Sequence, residues 1–250
     1  MISGVIWLYS LVSVLIISLI SLIGIFSLKI KIEKLKQILI YFISFSAGAL
    51  LGDAFIHLIP SLFKESSAII SALTILLGII LFFILEKVIH WRHCHMPITK
   101  EHVHPLAYMN LVGDALHNFI DGLIIAGSYL INIQVGIATT LAVILHEIPQ
   151  EIGDFGVLLH AGLKRTKALF LNFVTGLTAV LGTIIALVLT NYISNLQFYI
   201  TGIAIGGFIY IAGSDLIPEM HKEVKLEKSI LQLVFLILGI LVMLSLLLLE

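Results

Sequence analysis

His146-Glu147-Ile148-Pro149-Gln150-Glu151-Ile152-Gly153-Asp154 sits inside a stretch otherwise as apolar as a membrane interior, and His117-Asn118-Phe119-Ile120-Asp121-Gly122 sits inside the apolar stretch before it. An ionisable side chain in hydrocarbon costs kcal/mol, so polar strings in that setting point to an ion path or to contact with one another. On a helix turning 100° per residue, Asp114, His117, Asn118 and Asp121 fall within an arc of about 100°. His146, Glu147, Gln150, Glu151 and Asp154 fall within about 140°. These nine side chains, with Asp53 as a candidate tenth, must face each other or a water-filled crevice. The pattern predicts two membrane-crossing helices that meet along polar faces.

Working outward, the chain has 250 residues, 60% of them hydrophobic and 12% charged, with a mean hydropathy of +1.14. That composition excludes a water-soluble globule and implies an all-α integral membrane protein. Charge-poor stretches of about 20 to 28 residues repeat, the length that carries a helix across a hydrocarbon core roughly 30 Å thick. They predict eight spans, at about 4–28, 38–63, 68–89, 106–131, 135–162, 167–191, 197–219 and 229–249, in one domain covering 1–250. The first span has no basic residues before it and exceeds a signal-peptide core in length, which favours a retained helix. Thirteen of the fourteen Lys and Arg fall in the connections after spans 1, 3, 5 and 7, and Lys64 alone lies on the other side. The positive-inside rule puts those four loops in the cytoplasm and both termini outside, with the plasma membrane as the expected location. A net charge of −1 argues against a nucleic-acid partner, and the single Cys94 excludes an internal disulfide.

The segment at about 90–105 carries His93, His95, His102 and His104, a candidate low-affinity metal landing site on the cytoplasmic side, or else a solvated loop. Spans 2 and 7 share a pattern. One ends Gly52-Asp53-Ala54-Phe55-Ile56-His57-Leu58-Ile59-Pro60, the other Gly213-Ser214-Asp215-Leu216-Ile217-Pro218-Glu219. Because these spans cross in opposite directions, the match suggests an inverted repeat of helices 1–3 and 6–8 around a central pair, helices 4 and 5.

Imidazole nitrogen with carboxylate oxygen and no thiolate suits first-row divalent ions such as Zn²⁺, Fe²⁺ or Mn²⁺, whereas Mg²⁺ and Ca²⁺ favour all-oxygen shells. Pro149 removes a backbone donor and is expected to free a carbonyl near Leu145 that could ligate or admit water. Three other readings stay open from the residues alone. The polar faces could be a structural network, or a proton relay. They could also be an intramembrane zinc metalloprotease, since His146-Glu147-Ile148-Pro149-Gln150 is one residue short of the His-Glu-x-x-His motif.

The two strings resemble the fourth- and fifth-helix motifs of the ZIP family of divalent-metal transporters, in the subfamily marked by HExPHExGD, and Gly52 to Pro60 and Asp215 to Glu219 look like family segments too. The resemblance covers the whole chain. It implies a transporter and not an enzyme, eight helices with both termini outside, net flow of metal towards the cytosol and a homodimer in the lipid bilayer. Carried over by position, it implies a primary metal site of His117, Asp121, His146 and Gln150. Asn118, Glu147 and Glu151 would form a neighbouring one. The expected route runs from Asp53 and His57 on the outside, past that site and Asp114, to Asp154, Asp215, Glu219 and the His-rich loop. Two departures stand out. Gln150 replaces the second His of the subfamily motif, which should weaken a zinc preference in favour of iron or manganese. Thr175-Gly176-Leu177-Thr178-Ala179-Val180 on the sixth span is uncharged where some members carry a carboxylate, which counts against a full binuclear centre.

Overall fold

The computed structural model describes residues 2–27, 32–91 and 105–249, and every regular element among them is helical. The eight expected spans correspond to eight helices. They are α1 (Gly4–Ile23), α2 (Ile38–Glu65), α3 (Ala68–Trp91), α4 (Pro105–Ile131), α5 (Ile133–His160), α6 (Arg165–Leu189), α7 (Leu196–Met220) and α8 (Leu226–Leu246). Six are long and apolar enough to cross a membrane; the other two, α4 and α5, carry the polar strings. The His-rich segment with His93, His95, His102 and His104 lies outside the described residues.

Connections are tight where the sequence supplies a cap. Asn132 is extended, and its side-chain oxygen accepts from the Val135 amide at 2.7 Å, so α5 starts directly after α4 ends. At the far end of α5, Gly162 takes φ +90 and the Leu163 amide closes back on the Leu158 carbonyl at 3.1 Å.

Inside the bundle, α2 lies along α8, α3 along α7, and α4 along both α5 and α6. Glycines set these approaches. A Cβ on Gly48 would stand 2.0 Å from the Leu236 carbonyl oxygen, and one on Gly239 2.2 Å from that of Phe45. Gly78 and Gly206 repeat this across α3 and α7, at 2.6 Å from Ile203 and 2.3 Å from Ile75. Close backbone contact of this kind is how helices associate where no hydrophobic force separates protein from lipid. The α4–α6 seam has the same construction, with a Cβ on Gly182 falling 2.1 Å from the Phe119 oxygen. Gly182→Ala should therefore force the helices apart at a cost of about 1–3 kcal/mol. A lowered melting temperature in detergent reports it; an unchanged one would mean the seam is looser than described.

Two features have no counterpart in the expectations drawn from sequence. In α2, residues Asp53–Leu58 form a π-helical stretch, and in α7, Ile211–Leu216 form another. The Ile59 amide reaches the Ala54 carbonyl, and the Ile217 amide reaches that of Ala212. The next residue in each case is a proline, Pro60 or Pro218, which offers no amide of its own. Each proline follows its helix-packing glycine, Gly48 or Gly206, by 12 residues. In this register His57 of α2 corresponds to Asp215 of α7. Such π turns rotate the side chains beyond them and are frequent at functional sites.

Pro149 sits within α5, but the carbonyl one turn earlier does not behave as expected. The Ser46 hydroxyl on α2 donates to the Leu145 oxygen at 2.5 Å. The expectation that this carbonyl is open to metal or water is corrected accordingly: a neighbouring helix supplies the missing donor. The sixth helix breaks at Leu177, where Ser18 donates to the Gly176 oxygen at 2.7 Å and Thr178 donates to the Ala115 oxygen at 2.7 Å. Both bonds tie α6 to its neighbours, α1 and α4.

Candidate metal centre

The polar faces of α4 and α5 do meet. His117 and His146 approach Nε2 to Nε2 at 3.2 Å, with rings edge to face at 84°. Asp121 Oδ2 lies 3.6 Å from His117 Nε2 and 3.4 Å from His146 Nε2. Glu147 Oε1 lies 3.3 and 3.4 Å from the same two nitrogens. All four donor atoms fall within 4.8 Å of one another. A tetrahedron whose centre is 2.0–2.1 Å from each corner, the usual zinc–nitrogen and zinc–oxygen range, has edges of about 3.4 Å. The five edges that meet at a histidine nitrogen run from 3.2 to 3.6 Å.

Side-chain satisfaction points the same way. Asp121 and Glu147 are fully buried, and none of their four carboxylate oxygens has a hydrogen-bond partner. Buried anionic oxygens without donors are costly unless a cation meets them. His146 is buried as well, and its Nδ1 lies 3.3 Å from the Ala142 carbonyl. A carbonyl accepts, so Nδ1 carries the proton and Nε2 keeps its lone pair for the common centre. From α7, Phe208 sets its ring against that of His146 at 6.4 Å between centroids and closes this side of the cluster to water.

Gln150 lines the space beside the four. It borders a crevice of about 350 Å³ with His117, Asp114, Asp154, Tyr210 and Asp215. It also borders a second crevice, of about 230 Å³, with His146, Pro149, Asp215 and Glu219. Both lie towards the side where α3, α5 and α7 end and α4 begins, so four of the expected route residues, Asp114, Asp154, Asp215 and Glu219, line water-sized space next to the cluster. Glu219 also pairs with Lys222 at 2.5 Å. Asp53 and His57 line neither crevice. His57 donates from Nε2 to the Met243 carbonyl at 2.9 Å, and both Asp53 oxygens are buried without a hydrogen-bond partner.

Asn118 of α4 and Glu151 of α5 are fully buried near the cluster. Asn118 donates to Asp114 Oδ1 at 2.7 Å, and Glu151 accepts a short bond from Asn172 of α6. Sequence reasoning missed Asn172, although it is visible as an amide in an otherwise apolar stretch. Glu86 and Tyr210, hydrogen-bonded to each other across α3 and α7 on the crevice wall, were also overlooked.

Six helices long and apolar enough to cross a membrane, packed with two that are joined by a buried cluster of imidazoles and carboxylates, define a polytopic membrane protein equipped to hold a cation. The ZIP zinc transporter family matches residues 5–105 and 97–247 of this chain, which belongs to that family. It is 31% identical over 266 residues to zinc transporter ZIP13 of Danio rerio, covering 84% of this chain and 75% of the relative. To ZIP13 of Pongo abelii it is 32% identical over 225 residues, covering 84% and 66%. Zinc transporter zipt-7.1 of Caenorhabditis briggsae is 29% identical over 267 residues, covering 79% and 68%. The family is one of transporters and not of enzymes, which removes the protease reading.

Proposed function

We propose that this chain carries Zn²⁺ across a membrane into the cytosol, binding it between α4 and α5 through His117, Asp121, His146 and Glu147. The carrying observation is the compact set of two imidazole nitrogens and two carboxylate oxygens, buried and with the carboxylates lacking hydrogen-bond donors. With neutral imidazoles the two carboxylates balance a divalent ion, as a site in low dielectric requires. Fe²⁺ and Mn²⁺ carry the same charge, accept the same ligands and are competing cargo.

In this reading α4 and α5 span the membrane with the other six helices, and helices 1–3 and 6–8 are related by an inverted repeat. The paired glycines, the π turns and the two prolines at matched spacing support that symmetry. The charge asymmetry supports a cytosolic position for the loops after α1, α3, α5 and α7. The crevices then face the cytosol, and Asp154, Asp215 and Glu219 lie on the release side. Asp53 and His57 lie on the approach side, out of contact with these crevices. Asn118 and Glu151 flank the ion as a polar shell. A homodimer as assembly is carried over from the family resemblance, and the plasma membrane is the expected location.

Uptake of Zn²⁺, Fe²⁺ and Mn²⁺ into proteoliposomes holding the purified chain tests the proposal. Zn²⁺ should accumulate above protein-free vesicles, and accumulation of none of the three ions would sink it. In the same assay Gln150→His adds an imidazole at the edge of the centre and should move the ranking towards Zn²⁺ relative to Mn²⁺. An unchanged ranking would show that position 150 does not sense the metal.

A further inference from the structure

A third recess opens elsewhere on the molecule and has no part in the metal route. Ile38, Tyr41, Phe42 and Phe45 of α2, Leu145 of α5 and Phe235 of α8 enclose a groove of about 400 Å³ with no polar atom on its wall. Tyr41 and Phe235 stack across it, with centroids 5.3 Å apart and planes at 28°. Its rim is Ile38 and Phe42, which are 37% and 39% exposed. Both lie on a helix long and apolar enough to cross a membrane, and the groove shares no lining residue with the two crevices. An empty apolar space of this size would forfeit dispersion contact along every wall. The bilayer offers a chain of matching chemistry at high concentration.

One end of the groove is marked. Lys228 precedes Phe235 by 7 residues, two turns back on the same face of α8. Its ammonium pairs with Glu223 at 2.9 Å, and Tyr41 stands against Phe235 two turns further along the span. A tyrosine and a lysine near the ends of adjoining spans mark headgroup depth. The arrangement is therefore amphipathic in the order a phospholipid needs, with a cation and a hydroxyl at one end and aromatic walls below. We propose that this groove is a binding site for one acyl chain of a bilayer phospholipid, with the phosphate at the Tyr41–Lys228 end. The seated chain packs against Leu145, next in sequence to His146. It fills the seam between α2 and α5 that Ser46 bridges with a single hydrogen bond.

The test uses the full chain in detergent, with Trp7 and Trp91 replaced by Phe and a reporter tryptophan introduced by Phe235→Trp. Phosphatidylcholine with a brominated acyl chain is titrated in and tryptophan quenching is read. The expected result is quenching that saturates at about one lipid per chain, as one-site binding requires. A reporter on the lipid-facing surface of the same helix, Leu244→Trp, should be quenched in proportion to lipid content without saturating. Adding Ile38→Phe, which fills the groove, should reduce the saturating component at the 235 reporter by about threefold or more. Quenching at the 235 reporter that follows lipid content as at the 244 reporter, or that ignores Ile38→Phe, would overturn the proposal. Native mass spectrometry of the unlabelled chain tests it without tryptophan changes: one phospholipid retained by the unaltered chain should be lost from Ile38→Phe, and equal retention would overturn it.

Discussion

Zn²⁺ uptake into vesicles falls by on the order of 100-fold or more when His117 or His146 is replaced by alanine. Loss of a group that merely orients a ligand already costs 10–100-fold at metal sites, and these two supply half of the donor set itself. The helices should survive the change. His146 is held among α4, α5 and α7 by packing that does not depend on its ring nitrogens, and the side chain of His117 is 17% exposed towards a crevice. Each variant would leave Asp121 and Glu147 facing one imidazole, a local cost in a bundle whose glycine-packed seams lie elsewhere. Circular dichroism and gel filtration in detergent should match the unaltered chain while uptake and equilibrium metal binding fall together. Full uptake in both variants would remove the cluster from the transport route.

Glu147→Gln should be nearly as damaging, and Gln150→Ala should not. The first change keeps the size of the side chain and removes one of the two negative charges, so the site with a divalent ion carries an unbalanced +1 in low dielectric. A loss of roughly 100-fold follows from that charge being buried without a partner. Gln150 borders both crevices but has no oxygen among the four converging donors, so its removal should leave uptake within about threefold. The contrast has a sharp opposite. If Gln150→Ala abolishes uptake and Glu147→Gln does not, the ion is held by the amide, as the family resemblance implies, and the four-residue cluster is a resting form. Uptake rate against Zn²⁺ concentration, with protein orientation in the vesicles controlled, separates the two.

What the sequence could disclose depended on range. Helical period placed His117 and Asp121 one turn apart, and burial cost required their face to meet that of His146. Those steps need nothing beyond local geometry, and the cluster followed. Residues 147 and 150 both fell within the wide polar arc of α5. Which of them turns towards α4 depends on the rotation of one helix against another, and no periodicity carries that. Proline announced an irregularity near residues 60, 149 and 218 but not its form. Two became π stretches, whose extra residue leaves no compositional trace. The third was resolved by Ser46, 99 positions away from Leu145. Asn172 was legible as an out-of-place amide; its partner Glu151 was not, because the pairing needs the packing of α6 against α5.

The balance of charge in the cluster has an electrical consequence. Two carboxylates and two neutral imidazoles around a divalent ion sum to zero, so the filled centre gains or loses no energy in a transmembrane voltage. The same centre without its ion holds two uncompensated negative charges unless protons replace them. A membrane potential of 100 mV acts on each charge that crosses the full field with about 2.3 kcal/mol. Voltage therefore bears on the vacant form of this protein and leaves the loaded form indifferent. An imposed potential would show itself both in how fast the site becomes available again and, by linkage, in how tightly metal binds from each side.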